Sequence, residues 1–520
     1  MAGGARFPLA VGIARREPPA TPLMPLRPAF LAVLLVAALS GLSAATPPAG
    51  FRAGAATSNI TPPLGTPIVG GFAPFPAQDV HDELHARCLV LDDGRTRLAL
   101  VICDLLGLHR AVSTEARRLI EEATGIPAAH VLIAGTHTHS AGSALGASRF
   151  AAEQPLDDYQ RFVATRVADG VRRALQALRP AELGFGTVDI PEHVHNRRWL
   201  MREGKAPPNP FGQVDKVKMN PAGGSPELVE PAGPIDPTVS FLALREPGSG
   251  ALISVFAAYS LHYVGGVGSR SISADYFGVF CGELERLAAH PAATRPCVAL
   301  LANGTSGDIN NIDFRLAKRP ARAPYEQINL VGRDVARRVH AAVAGISWER
   351  APTLGAAYRE LPVAWRTIPP ELVAWARETE ARAPRVTKGE VPVGAKFATT
   401  PDWVQRLSYA GRVQLLAEQR GTAPIPLQAL RIGDVAIGTF PCETFAETGL
   451  EYRRRSPFRR SFMVELNHGY FGYLPPPRHF ALGGYETWPG TNQLEPEASV
   501  KMLDALLALT ASLQTPPPAP

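Results

Sequence analysis

Two histidines separated by a single residue stand directly after an apolar segment of the chain. His137 and His139 lie in the segment "THTHS", which follows the apolar run His130–Gly135. The carboxyl end of a strand is where an α/β sheet usually opens its site. Neutral imidazoles are ligands of catalytic zinc, which keeps one coordination position open for water. One histidine at a strand end would more often be structural, whereas the alternating pair favours a functional site.

Three further side chains of suitable chemistry follow apolar segments elsewhere in the chain. His262 comes just after the apolar run 252–260, and Glu443 follows the predicted strand Val435–Phe440. Tyr473 ends the segment "NHGYFGY". Taken singly, each residue has an alternative interpretation: a core histidine, a carboxylate that caps the next helix, or a packed tyrosine. These alternatives stay open when each position is considered alone.

Together with their surroundings, these residues resemble the N-terminal catalytic domain of the neutral, non-lysosomal ceramidases. The resemblance is carried, in chain order, by the segments "NITPPLG", "HTHS", "LH", "SGDINN", "PCETF", "NHGYFGY" and "GGYE". It implies an α/β fold and a zinc-dependent hydrolase that cleaves an amide bond. It also implies that one Zn²⁺ is held by four side chains, namely His137, His262, Glu443 and Tyr473.

The same resemblance implies roles for residues that would face the substrate rather than the metal. His139 would face the substrate carbonyl, and Tyr485 in "GGYE" would donate a hydrogen bond to the reacting group. Arg197 in "HNRRW" is similar to the substrate-positioning arginine of that family, although the adjacent Arg198 leaves the assignment open. Donors of this kind stabilise the charge that develops on a carbonyl oxygen.

The chain departs from the ceramidase pattern in two ways. Asn310 stands where that family carries a serine that has been discussed as a nucleophile, and an amide side chain cannot form an acyl intermediate. Asn310 could donate a hydrogen bond to substrate or could be a turn residue. The nearby Ser306 has no evident base in the sequence and is interpreted as a turn residue. The resemblance ends near Leu513, so it does not include the β-sandwich domain of that family.

The pattern of apolar runs and helical periodicity predicts an α/β fold, with a mixed sheet flanked by helices on both faces. Thr96–Asp104 and His130–Gly135 are predicted strands, and the segment between them is a predicted helix with Ser113 as its N-cap and Gly125 at its end. No internal repeat is visible. Two Pro/Gly/Lys-rich segments, 200–236 and 384–400, are predicted to be surface excursions that either wall a cleft or are plain insertions.

Residues 46–515 are predicted to form one catalytic domain between a leader (1–45) and a disordered tail (516–520). Arg27, the apolar run Phe30–Leu39 and the small residues that follow it are typical of a signal peptide, whose true start could be Met24. This predicts a secreted or periplasmic protein, with an uncleaved membrane anchor as the alternative. The five cysteines form no CxxC pair, so a disulfide framework is not expected.

The formal net charge is +6, without a dense basic cluster, so nucleic-acid binding is not predicted. The expected partner is a small-molecule or lipid amide, with peripheral membrane contact as a possibility and the oligomeric state left open. The leading hypothesis is a zinc amidohydrolase. The alternatives are a zinc esterase or deacetylase acting on a lipid or carbohydrate, and a catalytically silent protein in which zinc stabilises the fold.

Overall fold

The computed structural model describes residues 50–70, 74–146, 154–382 and 402–514. The predicted leader with its signal peptide and Met24, the segment 384–400 and the tail 516–520 lie outside these residues. None of the helices in the described part of the chain is long and apolar enough to cross a membrane. All five cysteines are described, and each is buried and unpaired.

The α-helices of the described residues vary from 10 to 19 residues in length. In chain order they are α1 (Arg110–Thr124), α2 (Asp158–Gln176), α3 (Asp275–Leu287), α4 (Glu326–Val343), α5 (Pro370–Arg382), α6 (Asp402–Glu418), α7 (Ala446–Arg455) and α8 (Ala498–Ser512). The strands in chain order are β1 (Arg52–Asn59), β2 (Pro67–Ile68), β3 (Phe75–Pro76), β4 (Asp79–Val80), β5 (His85–Asp92), β6 (Arg97–Cys103), β7 (Val131–Gly135), β8 (Arg179–Pro180), β9 (Glu182–Asp189), β10 (His195–Asn196), β11 (Arg198–Met201), β12 (Val217–Met219), β13 (Leu228–Pro231), β14 (Thr238–Arg245), β15 (Leu252–Tyr259), β16 (Ser271–Ile272), β17 (Val298–Asn303), β18 (Ile309–Asn310), β19 (Trp348–Glu349), β20 (Leu354–Ala364), β21 (Thr422–Ile432), β22 (Val435–Thr439), β23 (Glu443–Thr444), β24 (Arg460–Val464) and β25 (Tyr473–Leu474).

Three mixed sheets form the body of the described chain. Their strand orders are β7-β6-β5-β1-β8, β17-β15-β14-β9-β19 and β20-β21-β22-β24. Each sheet contains one parallel pair, which is β6 with β7, β15 with β17, or β22 with β24. A helix connects the two strands of each parallel pair, as a parallel crossover requires. The predicted α/β class and the mixed sheets are confirmed.

The three sheets repeat one topology. Each begins with three antiparallel strands, continues through a helix to a fourth strand parallel to the third, and ends in a second helix. We call the segments 52–176, 182–343 and 354–512 units 1, 2 and 3. The sequence shows no repeat, whereas the structure has one, because a topology constrains the polar and apolar pattern but leaves the residues themselves free to diverge.

The strands are buried on both faces, and this decides where the helices lie. Along β6, Leu98, Leu100 and Ile102 point into a core shared by all three sheets, whereas Val101 and Cys103 point into the core under α1 and α2. Units 2 and 3 have outer cores of their own beneath α3–α4 and beneath α8. In the part of the chain that the structure describes, helices therefore cover only the outer face of each sheet, because the inner faces bury one another. The sequence predicted helices on both faces.

The boundaries of α1 correct one sequence prediction. The helix begins at Arg110, and its N-cap is His109, whose side chain accepts a hydrogen bond from the backbone N–H of Ala111. Ser113 was therefore wrongly predicted as the N-cap. Ser113 is an interior residue of α1, and its hydroxyl is 2.8 Å from Nδ1 of His468. The predicted end is confirmed, because Gly125 has the left-handed conformation (φ +70°) of a helix C-terminus.

The loops after the parallel strands of different units are packed against each other at close range. Gly307 follows β17, and its backbone N–H donates to the carbonyl of Thr444, which follows β22. A Cβ atom on Gly307 would lie 2.6 Å from the carbonyl oxygen of Glu443. Only glycine allows this approach between units 2 and 3.

We expect Gly307→Ala to lower the free energy of unfolding by about 1–3 kcal/mol, since the added methyl meets backbone that cannot rotate away. Thermal and urea unfolding measure the loss. The matched control is Gly282→Ala in α3, where a Cβ would meet nothing within 4 Å. There alanine should raise stability by roughly 0.5–1 kcal/mol, because glycine is the poorer helix former. Equal behaviour of the two variants would contradict the close approach.

Candidate metal site

Three histidine side chains converge in a buried space between units 1 and 2. His137 and His139 follow β7, and His262 follows β15. One ligand atom from each of the three lies within 4.8 Å of the others. The Nε2 atoms of His137 and His139 are 3.2 Å apart. Glu443, from unit 3, brings Oε2 to 3.2 Å from Nε2 of His137 and 3.7 Å from Nε2 of His262.

The outward-facing nitrogens of these imidazoles are all held by backbone carbonyl groups. Nδ1 contacts the carbonyl of Leu106 at 2.7 Å in His137 and that of Gly70 at 2.8 Å in His139. In His262 it lies 3.2 Å from the carbonyl of Ser306. A carbonyl oxygen only accepts hydrogen bonds, so each Nδ1 carries the proton. Each Nε2 therefore presents a lone pair to the interior, which is the arrangement that metal-binding histidines adopt.

The backbone of His137 has an unfavourable conformation, which directs its imidazole toward the other histidines. Its φ of +70° lies in the left-handed region, which is uncommon for a residue other than glycine. Such a conformation costs about 1–3 kcal/mol and persists only where the surroundings determine it. Here the backbone N–H donates to the carbonyl of Leu105, and the imidazole N–H donates to that of Leu106. The loop after β6 thus fixes both ends of His137.

The electrostatics of the site favour neutral imidazoles at His139 and His262 beside an ionised Glu443 carboxylate. Burial, followed by the neighbouring charged groups, lowers the pKa of His139 and of His262 well below the usual range. Burial alone would raise the pKa of Glu443, but His137 and the hydroxyls of Tyr470 and Tyr473 lower it to about 2. These are the protonation states that metal ligands require.

Two atoms of the cluster have no hydrogen-bond partner among the described residues. They are Nε2 of His262 and Oε2 of Glu443, and both side chains are almost fully buried. A buried acceptor without a partner is costly, and several acceptors facing one another are more so. The separations of 3.2–3.7 Å suit a shared cation, since tetrahedral bonds of about 2.0–2.1 Å to zinc place ligands roughly 3.3 Å apart. The donor set therefore fits zinc.

Tyr473 reaches the cluster through a short ladder with Glu443. β23 and β25 pair in parallel, with Glu443 and Tyr473 as direct partners. The phenol lies close enough to help lower the pKa of the Glu443 carboxylate. Tyr470, three residues earlier, donates its hydroxyl to Oε1 of that carboxylate at 2.6 Å. Because Oε1 is occupied in this way, Oε2 is the oxygen left to face the histidines.

The structure separates the roles of the two adjacent arginines. Arg197 is buried, and its Nη2 donates to the hydroxyl of Tyr473 at 2.9 Å. Arg198 is fully buried, and its Nη2 donates to the backbone carbonyl of Gly483 at 2.7 Å. Both guanidinium groups also bind Glu486. Of the two, Arg197 is the one in contact with Tyr473.

The side chains of His139 and Tyr485 both pack against aromatic rings. The imidazole of His139 stacks on Tyr263, with ring centroids 3.7 Å apart. The ring of Tyr485 packs edge-on against Tyr473 at 5.6 Å. His139 lies close enough to His137 to be either a metal ligand or a substrate contact. The resemblance assigns it the second role, and its position is compatible with both.

The structure places Asn310 beside the site rather than among the convergent side chains. Its Nδ2 donates to Oδ1 of Asn220, whose backbone N–H in turn donates to the carbonyl of Arg197. Ser306 is fully buried behind His262, and its hydroxyl donates to Glu465 at 2.7 Å. That hydroxyl is therefore bound to a buried carboxylate.

Three further polar side chains near these elements have structural contacts. Asp104 accepts a hydrogen bond from the backbone N–H of His85, and Asp308 accepts from the N–H of Ala446 at the start of α7. His81 stacks on Tyr325. Among the described residues, His137, His139 and His262 form the single group of three or more histidine, cysteine or carboxylate side chains close enough together to hold a metal ion.

Sequence reasoning missed Tyr470, Tyr263 and Glu465. Tyr470 lies in the same "NHGYFGY" segment as Tyr473, and Tyr263 directly follows His262. Their positions in these motifs are the only signal that could have found them, because their contacts depend on how distant loops meet. Glu465 follows β24, at the same point of unit 3 as the histidine pair in unit 1. Only the repeat reveals that equivalence.

The first strands of the three units are each followed by an excursion, and the first two of these excursions reach the site. The segment 60–84 supplies the Gly70 carbonyl that holds His139, and the segment 190–237 supplies Arg197. The segment 365–421 contains α5 and α6. Within the predicted excursion 200–236, Asp215 accepts a hydrogen bond from the indole N–H of Trp488.

The structure thus defines an α/β protein with a buried, metal-competent site where three sheet units meet. Among solved structures, a similar fold occurs in the neutral ceramidase from Pseudomonas aeruginosa, with a TM-score of 0.59 and 18% sequence identity over 89% of this chain and 74% of that chain. A ceramidase complexed with C2 is similar over 91% of this chain and 77% of that chain, with a TM-score of 0.60 and 18% identity. Searches against family models and curated proteins give no match. The chain has the fold of the neutral ceramidases, as the sequence resemblance implied.

We expect His137→Ala to abolish stable zinc binding, because it removes a buried lone pair from the cluster. The loss of affinity should exceed the roughly 10–100-fold that removal of an outer-shell partner costs. Zinc content by mass spectrometry and competition with a chelator measure it. His290→Ala, at an exposed position, is the control and should retain the metal. Full zinc retention by His137→Ala would rule out this site.

Tyr470→Phe should weaken zinc binding by about 10–100-fold while leaving the fold intact, since it frees Oε1 of Glu443 to rotate toward the metal position. The matched control is Tyr358→Phe, which removes a hydroxyl bound to Glu360 at the surface. The same chelator competition on both variants makes the comparison. Equal affinities would show that Tyr470 does not orient the carboxylate.

Proposed function

We propose that this chain is a secreted, zinc-dependent amidohydrolase that cleaves a linear N-acyl amide such as a ceramide. The observation that carries the proposal is the convergence of three imidazole Nε2 atoms and the Glu443 carboxylate within a ceramidase fold. His137, His262, Glu443 and Tyr473 would hold the zinc. When bound, zinc polarises a carbonyl group and lowers the pKa of a water molecule toward neutrality.

The side chains around the metal position supply the remaining requirements of amide hydrolysis. His139 is fixed by the Gly70 carbonyl and by stacking on Tyr263, so its Nε2 is held ready to exchange a proton at the reacting centre. Arg197 and Tyr485 both contact Tyr473 and supply N–H and O–H donors for the developing oxyanion. Burial of Arg197 strengthens its part in these interactions.

A covalent serine route is not supported by the residues present. Asn310 occupies the position of the family's serine, and Ser306 is buried behind His262 with its hydroxyl bound to Glu465. Neither side chain can attack a carbonyl at the metal position. Direct attack by water accounts for hydrolysis without either residue.

A line of aromatic rings supports a substrate with a long apolar group. It leads from Tyr473 through Tyr485 and Trp488 to further rings on or near α5 and α6. Consecutive ring centroids along it are 5.1–5.9 Å apart, and its outer members are Tyr409, Phe211 and Trp375. Trp375 lines a groove of about 210 Å³ between these helices. The partly exposed rings of this line offer the apolar surface that an acyl chain prefers, and they are Tyr485, Trp488, Phe211 and Trp375.

Export from the cytoplasm is the part of the proposal that depends on sequence alone. The basic residue, apolar run and small residues of the leader are those of a signal peptide. Expression of the full chain, followed by fractionation and N-terminal sequencing of the mature protein, tests it. An N-terminus near residue 46 would support export, and an intact leader in the cytoplasm would contradict it.

The activity is tested with a panel of N-acyl amides and esters that share the same acyl chains. We expect the zinc-loaded protein to hydrolyse amides, with kcat/KM rising with acyl length. Tyr485→Phe should lower kcat by roughly 10²–10³-fold without zinc loss, because it removes a donor to the oxyanion. Turnover of esters alone would favour a zinc esterase. A fully metallated protein that hydrolyses nothing would favour a silent, zinc-stabilised protein.

A further inference from the structure

Glu486 is a buried carboxylate held between two arginines at the edge of the metal site. Its Oε1 accepts a hydrogen bond from Nε of Arg197 at 2.9 Å, and its Oε2 accepts from Nη1 of Arg198 at 2.6 Å. The carboxylate is 0% exposed, and the two guanidinium groups are 4% and 0% exposed. Buried charges are stable only in well-paired geometry, so these three groups have little freedom to move.

The position of Glu486 determines where Arg197 points. A guanidinium group is planar, with its donors in a fixed fork. Glu486 binds the Nε end of that fork, and the hydroxyl of Tyr473 binds Nη2 at 2.9 Å. Two fixed contacts set both the plane and the direction of the group. The third nitrogen, Nη1, has no hydrogen-bond partner within the described ranges, and it remains as the donor available to a substrate.

Arg198 anchors Glu486 from the opposite side. Its Nη2 donates to the carbonyl of Gly483, and its guanidinium lies 5.3 Å from the ring of Phe445. Its backbone N–H donates to the side chain of Asn196, which in turn binds Asp308. Arg198 is therefore part of the rigid framework, and it transmits that rigidity to Arg197 through Glu486.

We propose that Glu486 is a positioning residue that aims Arg197 at the reacting carbonyl group of the substrate. This inference rests on the proposed function, in which Arg197 is a donor to that carbonyl. Glu486 does not touch the substrate or the metal ligands. It acts only through the direction that it gives to Arg197.

A double-mutant cycle tests this dependence. Glu486→Gln should lower kcat/KM by about 100-fold, the size of effect expected when a catalytic group is displaced by about 1 Å. Its zinc content should equal that of the wild type. In the Arg197→Ala background, Glu486→Gln should have no further effect, because there is no longer a guanidinium to aim. An equal loss in both backgrounds would show a merely structural role and would overturn the proposal.

Two variants guard against a trivial loss of folding. Glu486→Asp keeps the charge but shortens the side chain, so it should fold and show an intermediate kcat/KM. Glu182→Gln is the matched control, because Glu182 also binds two arginines, Arg245 and Arg350, through separate oxygens. We expect Glu182→Gln to lower thermal stability while leaving kcat/KM within twofold of wild type. A loss of activity equal to that of Glu486→Gln would contradict a specific role for Glu486.

A structural readout keeps the test independent of turnover. In crystals of Glu486→Gln, the distance from Nη2 of Arg197 to the hydroxyl of Tyr473 should exceed 3.5 Å. A distance unchanged at 2.9 Å would overturn the inference. If the wild type hydrolyses no amide, the proposed function fails, while this distance still decides whether Glu486 positions Arg197.

Discussion

The architecture depends on one electrostatic constraint, which is that several lone pairs face each other in a space from which water is largely removed. The Nε2 atoms of His137, His139 and His262 and Oε2 of Glu443 all point inward. Their opposite ends are tied to backbone carbonyls and to Tyr470, so the lone pairs cannot turn away. Such an arrangement is costly unless a positive charge is shared among them. The buried donors and acceptors around the site keep it in place.

The three-unit topology explains how one chain brings these groups together. Each unit places loops at the carboxyl ends of a parallel strand pair, and His137, His262 and Glu443 each come from a different unit. The strands carry apolar side chains on both faces, so the sheets bury one another and close around the loops. Close backbone approaches such as that at Gly307 then fix the loops at contact distance.

Much of the fold and of the candidate site could be predicted from local pattern. The strand before His137, the end of α1 at Gly125 and the α/β class follow from periodicity and glycine chemistry. The grouping of distant residues came from the resemblance to ceramidases, not from spacing. The predicted start of α1 was wrong because its N-cap is His109, a residue type that is less usual at that position, rather than Ser113. The repeat and Tyr470 were missed because both depend on contacts between loops far apart in the chain.

The division of the ligands among three units couples occupancy of the site to the integrity of the whole domain. No unit supplies a complete set of ligands, so a cation bound here would crosslink all three units. Any ligand that binds only the native state stabilises it by mass action. Local opening of one sheet would release the ion, and removal of the ion would loosen all the sheets together. Occupancy of the site and stability of the fold are therefore linked.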